Sequence, residues 1–150
     1  MTNVYIRSGN TRENFSMVYH ELFDLYHGYI GDKATLYYTF LLRYRHNRED
    51  SEYGKSWRGR KGVAEKFNLS YSTLKILDTI LKEAGLVEIE TKPSGRGRDK
   101  IVYIVNDPLD REKFRWAEPK IAEALKKIAE ETEGAESLFG KEFRAKLTEA

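Results

Sequence analysis

The chain of 150 residues contains no cysteine, and this absence excludes disulfide bonds and thiolate metal sites. It has no apolar run that approaches the roughly 20 residues of a membrane span, and its first residues lack the apolar core of a signal peptide. It also lacks a glycine-rich phosphate loop, a nucleophile elbow and a carboxylate pair in a defined setting. We therefore expect a cytoplasmic protein that contacts no membrane, needs no cofactor and is not an enzyme.

The chain as a whole has no large excess of positive or negative charge, but its charges are unevenly distributed. The formal net charge is only +2, whereas residues 53–105 carry 11 lysine or arginine residues against 6 acidic ones. Residues 106–150 carry 9 basic and 11 acidic residues. Hydrophobic residues make up 40% of the chain, which is enough for one compact domain with an appendage. Residues 53–105 are therefore where a nucleic-acid partner is expected.

Two helices joined by a tight corner are predicted between residues 62 and 85. Val63, Ala64 and Phe67 recur at helical spacing and can bury one face of a first helix. Asn68 tolerates the left-handed backbone that ends a helix. Ser70 can then cap a second, longer helix by accepting a hydrogen bond from a backbone amide of its first turn.

The second helix has one apolar stripe, which we expect to face the core. Gly85 stands where a glycine commonly ends a helix, and Leu86 can pack against that end. The stripe consists of Leu74, Leu77, Leu81 and Ala84. The opposite, exposed face is predicted to carry Tyr71, Ser72, Lys75, Asp78, Thr79 and Lys82.

A β-hairpin with a basic tip is predicted directly after the two helices. Residues 87–91 and 101–105 are strand-like runs, and the connecting segment 92–100 contains glycine, proline and several cations. A helix-turn-helix followed by such a hairpin is typical of a winged helix, whose second helix enters the major groove of DNA. The predicted fold class is mainly α with a small β-hairpin wing and a helical C-terminal tail.

The segments AEKFNLSYSTLK (64–75) and LKEAGLV (81–87) resemble the winged-helix pattern of MarR-type and GntR-type regulators and of DnaD-like and plasmid or phage replication proteins. Upstream, NFSMVYHELF (14–23) and IGDKATLYYTFLLRY (30–44) are similar to the opening of the replication-associated group. The resemblance covers roughly residues 15–105. It implies a DNA-binding protein of replication initiation or primosome loading, with replication proteins among its partners and a nucleoid-associated location.

The flanking segments complete the predicted organisation, with an N-terminal segment (1–13), the winged-helix domain (14–105) and a linker with a helical tail (106–150). A break at residues 27–32 separates two upstream helices, and Asp32 can cap the second of them. Residues 45–57 are predicted to form a loop, and Pro119 to begin the tail helix. The tail has a thin apolar seam that packs either on its own domain or on another copy. The apolar stripe of the first upstream helix consists of Phe15, Val18, Tyr19, Leu22, Phe23 and Tyr26. The resemblance also allows residues 15–18 to be extended before this helix starts.

Three clusters are predicted to contact double-stranded DNA through phosphates, base edges or the minor groove. The cluster that leads into the first helix of the motif is Lys55, Arg58, Arg60 and Lys61. The cluster at the start of the second helix is Ser70, Tyr71, Ser72, Thr73 and Lys75. The cluster on the wing is Lys92, Arg96, Arg98 and Lys100.

Competing interpretations of the same chain remain. His20, Asp24 and His27 lie at steps of four and three and form a weak candidate metal site without an evident fourth ligand, so no metal is predicted. The DNA-binding geometry also suits a transcriptional repressor. A winged helix can instead be a protein-interaction module. A homodimer is expected through either the C-terminal helix or the N-terminal helices.

Overall fold

The computed structural model describes residues 3–12, 16–43, 45, 55–56, 60–92 and 100–148, and for residues 55, 56, 60, 61, 92 and 100 it describes the backbone. These ranges are mainly helical with a small antiparallel hairpin, as the sequence predicts. None of the helices within them is long and apolar enough to cross a lipid bilayer. In chain order the elements are a π-helix (Leu22–Tyr26), α1 (His27–Leu42), β1 (Lys55–Ser56), α2 (Arg60–Phe67), α3 (Tyr71–Glu83), β2 (Val87–Lys92), β3 (Lys100–Val105), α4 (Arg111–Glu131), a 3-10 turn (Glu136–Leu138) and α5 (Lys141–Thr148).

The central helix α1 contacts α3, α5 and the 3-10 turn. It is interrupted at Gly31, where φ is 85° and ψ is 175°, so the predicted break at residues 27–32 is confirmed. A Cβ at Gly31 would overlap the carbonyl oxygen of Leu138, and glycine is therefore what lets the C-terminal segment approach α1 so closely. The predicted capping role of Asp32 is wrong, because its carboxylate hydrogen-bonds to His27 Nε2 at 2.6 Å.

The helix that precedes α1 follows the predicted apolar stripe only in part. Leu22 and Tyr26 are buried, with exposures of 0% and 2%, but Tyr19 and Phe23 are 48% and 57% exposed. Tyr19 lies before the first helical residue, whereas Phe23 lies in a π-helical turn, in which the N–H of His27 donates to the carbonyl of Leu22 five residues earlier. Apolar residues at α-helical spacing do not all lie on one face of a π-helical turn. Phe15 lies outside the described residues.

The sheet has three strands in the order β1-β3-β2, all antiparallel. The hairpin of β2 and β3 is in register from the pair Val87 and Val105 to the pair Lys92 and Lys100. The prediction of a loop at residues 45–57 is wrong at Lys55–Ser56, because these residues pair with β3. The unsatisfied edge of β3 explains this pairing, since an exposed strand edge readily accepts a further strand. Residues 46–54 and 57 of the predicted loop lie outside the described residues.

The tail helix α4 begins at Arg111 and not at Pro119 as predicted. Asp110 fixes the start, because its carboxylate accepts a hydrogen bond from the N–H of Lys113 at 2.8 Å. Pro119 lies inside the helix, where it removes one backbone hydrogen bond. Burial on both sides of the proline, at Phe114 and at Ile121, holds the two halves in one helix.

The tail packs on its own domain, which decides between the two outcomes that the sequence leaves open. Helix α4 contacts α3, and α5 contacts α1. The apolar seam is buried in these contacts, since Leu125, Phe139 and Phe143 are 0%, 2% and 4% exposed. The C-terminal seam is therefore not available to a second copy of the chain.

Candidate nucleic-acid interface

The corner between α2 and α3 is built by Asn68, whose φ of 52° is left-handed. The N–H of Leu69 donates to the carbonyl of Ala64 at 2.9 Å, and the N–H of Asn68 donates to the carbonyl of Glu65 at 3.4 Å. These two bonds form the Schellman arrangement, which satisfies the last carbonyls of a helix and turns the chain. The predicted end of the first helix is confirmed.

Ser70 starts α3 as predicted. Its Oγ accepts a hydrogen bond from the N–H of Thr73 at 3.1 Å, and it also donates to Thr73 Oγ1 at 3.0 Å. Ser72 Oγ lies 3.1 Å from the same Ser70 oxygen. These three hydroxyls, which the sequence predicts as DNA contacts, are thus engaged with one another at the helix start, while Ser70 and Ser72 remain exposed.

The exposed face of α3 carries Tyr71, which is 54% exposed, and then Lys75, Thr79 and Lys82. Neither the Tyr71 hydroxyl nor the Lys75 ammonium has a hydrogen-bond partner among the described residues. Asp78, predicted for this face, is instead buried at 3% exposure. From Tyr71 to Lys82 the exposed face therefore presents two cations and no carboxylate.

Asp78 joins three elements inside the protein. Its Oδ1 accepts a hydrogen bond from the Tyr37 hydroxyl of α1 at 2.7 Å, and its Oδ2 accepts one from the Tyr103 hydroxyl of β3 at 2.9 Å. The two rings pack edge to face, with centroids 6.4 Å apart. Burial, together with the charge of Asp78, raises the pKa of Tyr37 well above its ordinary range, so Tyr37 stays a donor. The carboxylate therefore fixes α3 against both α1 and the hairpin.

A signal for this buried site was present in the sequence. Asp78 follows Leu74 by four residues and precedes Leu81 by three, so helical geometry places it on the apolar stripe and not opposite it. Asp78 was predicted to be exposed because aspartate is charged, although its position in the helix favours burial. The two tyrosine partners had no such signal, because they lie 41 and 25 residues away in the chain.

The hairpin places the backbones of Lys92 and Lys100 opposite each other at its last described pair. The predicted wing contacts Arg96 and Arg98 lie outside the described residues. In the cluster that leads into the first helix of the motif, Lys55 is in β1, and Arg60 and Lys61 open α2. Arg58 lies outside the described residues.

The candidate metal site is not formed. No group of three or more histidine or acidic side chains that could hold a metal ion occurs in the described ranges, which include His20, Asp24 and His27. The ring of His27 hydrogen-bonds to Asp32 instead, and Asp24 approaches Arg111 to 4.0 Å. The spacing of the three residues along the helix does not bring them together around a common point.

Comparison with known proteins finds no match to the chain among protein-family models, curated proteins or solved structures.

Proposed function

We propose that the chain is a winged helix-turn-helix protein that binds double-stranded DNA, with α3 in the major groove and the hairpin as the wing. The order of α2, the left-handed corner, α3, β2 and β3 supports this proposal, because it is the order of a winged helix. The length of α3, 13 residues, suits a helix that presents its first turns to base edges.

The observation that carries the proposal is the charge of the exposed face of α3. Because Asp78 is turned inward, the face between Tyr71 and Lys82 carries only hydroxyls, an aromatic ring and two ammonium groups. Cations on a surface that faces DNA attract the phosphates, whereas carboxylates there repel them. In the proposed complex Tyr71 and Lys75, whose polar groups are free, reach base edges, whereas Ser70 and Thr73 mainly set the start of the helix.

The test is a fluorescence-anisotropy titration of the protein with duplex DNA at several salt concentrations. Binding is expected to weaken steeply with salt, because about 0.9 logarithmic units of affinity are lost per tenfold rise in salt for each phosphate contact. The sequence of the target is found by selecting bound fragments from a pool of random duplexes. Absence of binding at low salt to every duplex in the pool would contradict the proposal.

Variants separate the roles of α3 and the wing. Lys75→Ala and Tyr71→Ala are expected to change sequence preference, since their side chains reach bases. The double variant of Arg96→Ala with Arg98→Ala is expected to weaken binding to all duplexes and to reduce the salt dependence. Lys127→Ala is the matched control, because it removes the same charge from an exposed position on α4. If Lys127→Ala has as large an effect as Lys75→Ala, binding is not through α3.

The resemblance of residues 15–105 to replication-associated proteins is the ground for a narrower proposal, a role in initiating replication of a plasmid, phage or chromosome. Selected sequences that recur as repeats within a replication origin would support that role. A single site in the promoter of the protein's own gene would indicate a transcriptional repressor instead. A protein-interaction module would bind no duplex in the salt titration.

A further inference from the structure

Exposed apolar side chains are concentrated at the N-terminal end of the chain. Among the described residues, ten large hydrophobic side chains are exposed, and seven of these lie between residues 4 and 36. Exposed apolar side chains mark an interaction surface where they adjoin one another. The seven residues are Val4, Tyr5, Ile6, Met17, Tyr19, Phe23 and Leu36.

Two of these side chains line a groove of about 310 Å³ beside the kink of α1. Phe23 and Leu36, 57% and 55% exposed, form its apolar walls, and Thr35 and Thr39 are among the polar residues of α1 that line it. Asp32, whose side chain is 94% exposed, stands at the rim. His27 also lines the groove, and its Nε2 hydrogen-bonds to Asp32 Oδ1 at 2.6 Å. The groove thus has apolar walls and, at its edge, a carboxylate that shares one oxygen with a histidine ring.

The N-terminal segment, residues 3–12, carries apolar and positively charged side chains that complement the groove. Val4, Tyr5 and Ile6 are consecutive, 87%, 82% and 96% exposed, and they have no regular secondary structure. Residues 1–12 include two arginines, Arg7 and Arg12, and no acidic residue. An apolar triplet followed directly by a cation matches an apolar groove with a carboxylate at its rim.

The arm does not lie in the groove of its own chain, since Val4, Tyr5 and Ile6 are almost fully exposed. We propose that the protein forms a two-fold symmetric dimer in which residues 4–7 of each copy fill the groove beside the α1 kink of the other. The reciprocal exchange closes the assembly at two copies, because each arm and each groove is then used once. The C-terminal seam does not compete for this role, since it is buried within the chain.

The test uses the full chain without DNA, so its outcome is independent of the proposed function. Analytical ultracentrifugation across the micromolar range is expected to show a monomer–dimer equilibrium for the unmodified protein. A groove variant, Phe23→Ser with Leu36→Ser, is expected to weaken the dimer at least about tenfold, because it removes the apolar anchors. The matched control is Trp116→Ser, which alters an 81% exposed side chain on α4 and is expected to leave the dimer unchanged.

An arm variant in which Val4, Tyr5 and Ile6 are all changed to serine is expected to weaken the dimer as the groove variant does. Mixing the arm variant with the groove variant then restores association in part, because a mixed dimer retains one intact arm in one intact groove. A patch-on-patch dimer would show no such restoration. A monomer at all concentrations, equal weakening by Trp116→Ser, or no restoration on mixing would each overturn the proposal.

Discussion

The buried contact among Tyr37, Asp78 and Tyr103 leads to a quantitative prediction for Tyr37→Phe. The substitution keeps the ring, which packs against Tyr103, and removes only the hydroxyl that donates to Asp78 Oδ1 at 2.7 Å. The three side chains are 1%, 3% and 2% exposed, so water does not readily replace the lost donor. A hydrogen bond to a charged group contributes about 1.5–3 kcal/mol, and Tyr37→Phe is expected to lower the free energy of unfolding by that amount.

Urea unfolding at neutral pH, followed by circular dichroism, measures this loss directly. In a thermal scan each 1 kcal/mol corresponds to a fall in Tm of about 2–4 °C for a chain of this size. Tyr71→Phe is the matched control, because it removes a hydroxyl from a side chain that is 54% exposed. Its effect is expected to stay within about 0.5 kcal/mol.

Tyr103→Phe removes the second donor, to Oδ2 of the same carboxylate. Since both tyrosines bind one group, the double variant is expected to differ from the sum of the single variants by at least about 0.5 kcal/mol. Additive effects, or a loss for Tyr37→Phe no larger than that for Tyr71→Phe, would refute the reasoning that one carboxylate holds α3 to both α1 and β3.

Three further predictions concern strain, capping and alkaline pH. Gly31→Ala is expected to cost at least about 2 kcal/mol in urea unfolding, because it adds a clash with Leu138 to the strain of a positive φ. Gly134→Ala, with a φ of 82° but open space around it, should cost clearly less; equal costs would rule out the clash. Asp110→Ala is expected to lose about 0.5–2 kcal/mol by removing the cap of α4, and no loss would mean that another residue sets its start. The urea midpoint of unfolding is expected to fall as pH rises above about 10. Burial raises the pKa of four tyrosines in the folded state, so the unfolded chain releases these protons first. A midpoint that does not change up to about pH 11 would contradict this. The four are Tyr26, Tyr29, Tyr37 and Tyr38.

Local chemistry explains why the corner and the hairpin could be predicted from the sequence. Asn68 is left-handed, Ser70 caps α3, and Gly85 ends α3 with a φ of 80°, as predicted. Each of these outcomes depends on a residue and its neighbours within five positions, so a single stretch of sequence contains the whole cause. The strands of the hairpin likewise follow from adjacent apolar runs.

The predictions that failed depended on what a segment meets elsewhere in the fold. Pro119 marks a helix start by local preference, but the cap at Asp110 and burial of Phe114 carry the helix through it. Tyr19 and Phe23 fit an apolar stripe, but Tyr19 precedes the helix and Phe23 is exposed in the π-helical turn after Glu21.

The sequence alone determined the order of α2, α3, β2 and β3, the turn between α2 and α3, and the basic character of residues 53–105, because these follow from residue type and short-range spacing. Only the tertiary structure decided that Asp78 faces inward, because its burial requires hydroxyl donors from α1 and β3 that lie far away in the chain. The tertiary structure also decided that the C-terminal seam packs on its own domain, since Gly31 at the α1 kink lets the C-terminal segment approach there. The absence of a carboxylate from the exposed face of α3 between Tyr71 and Lys82 is a consequence of the inward position of Asp78.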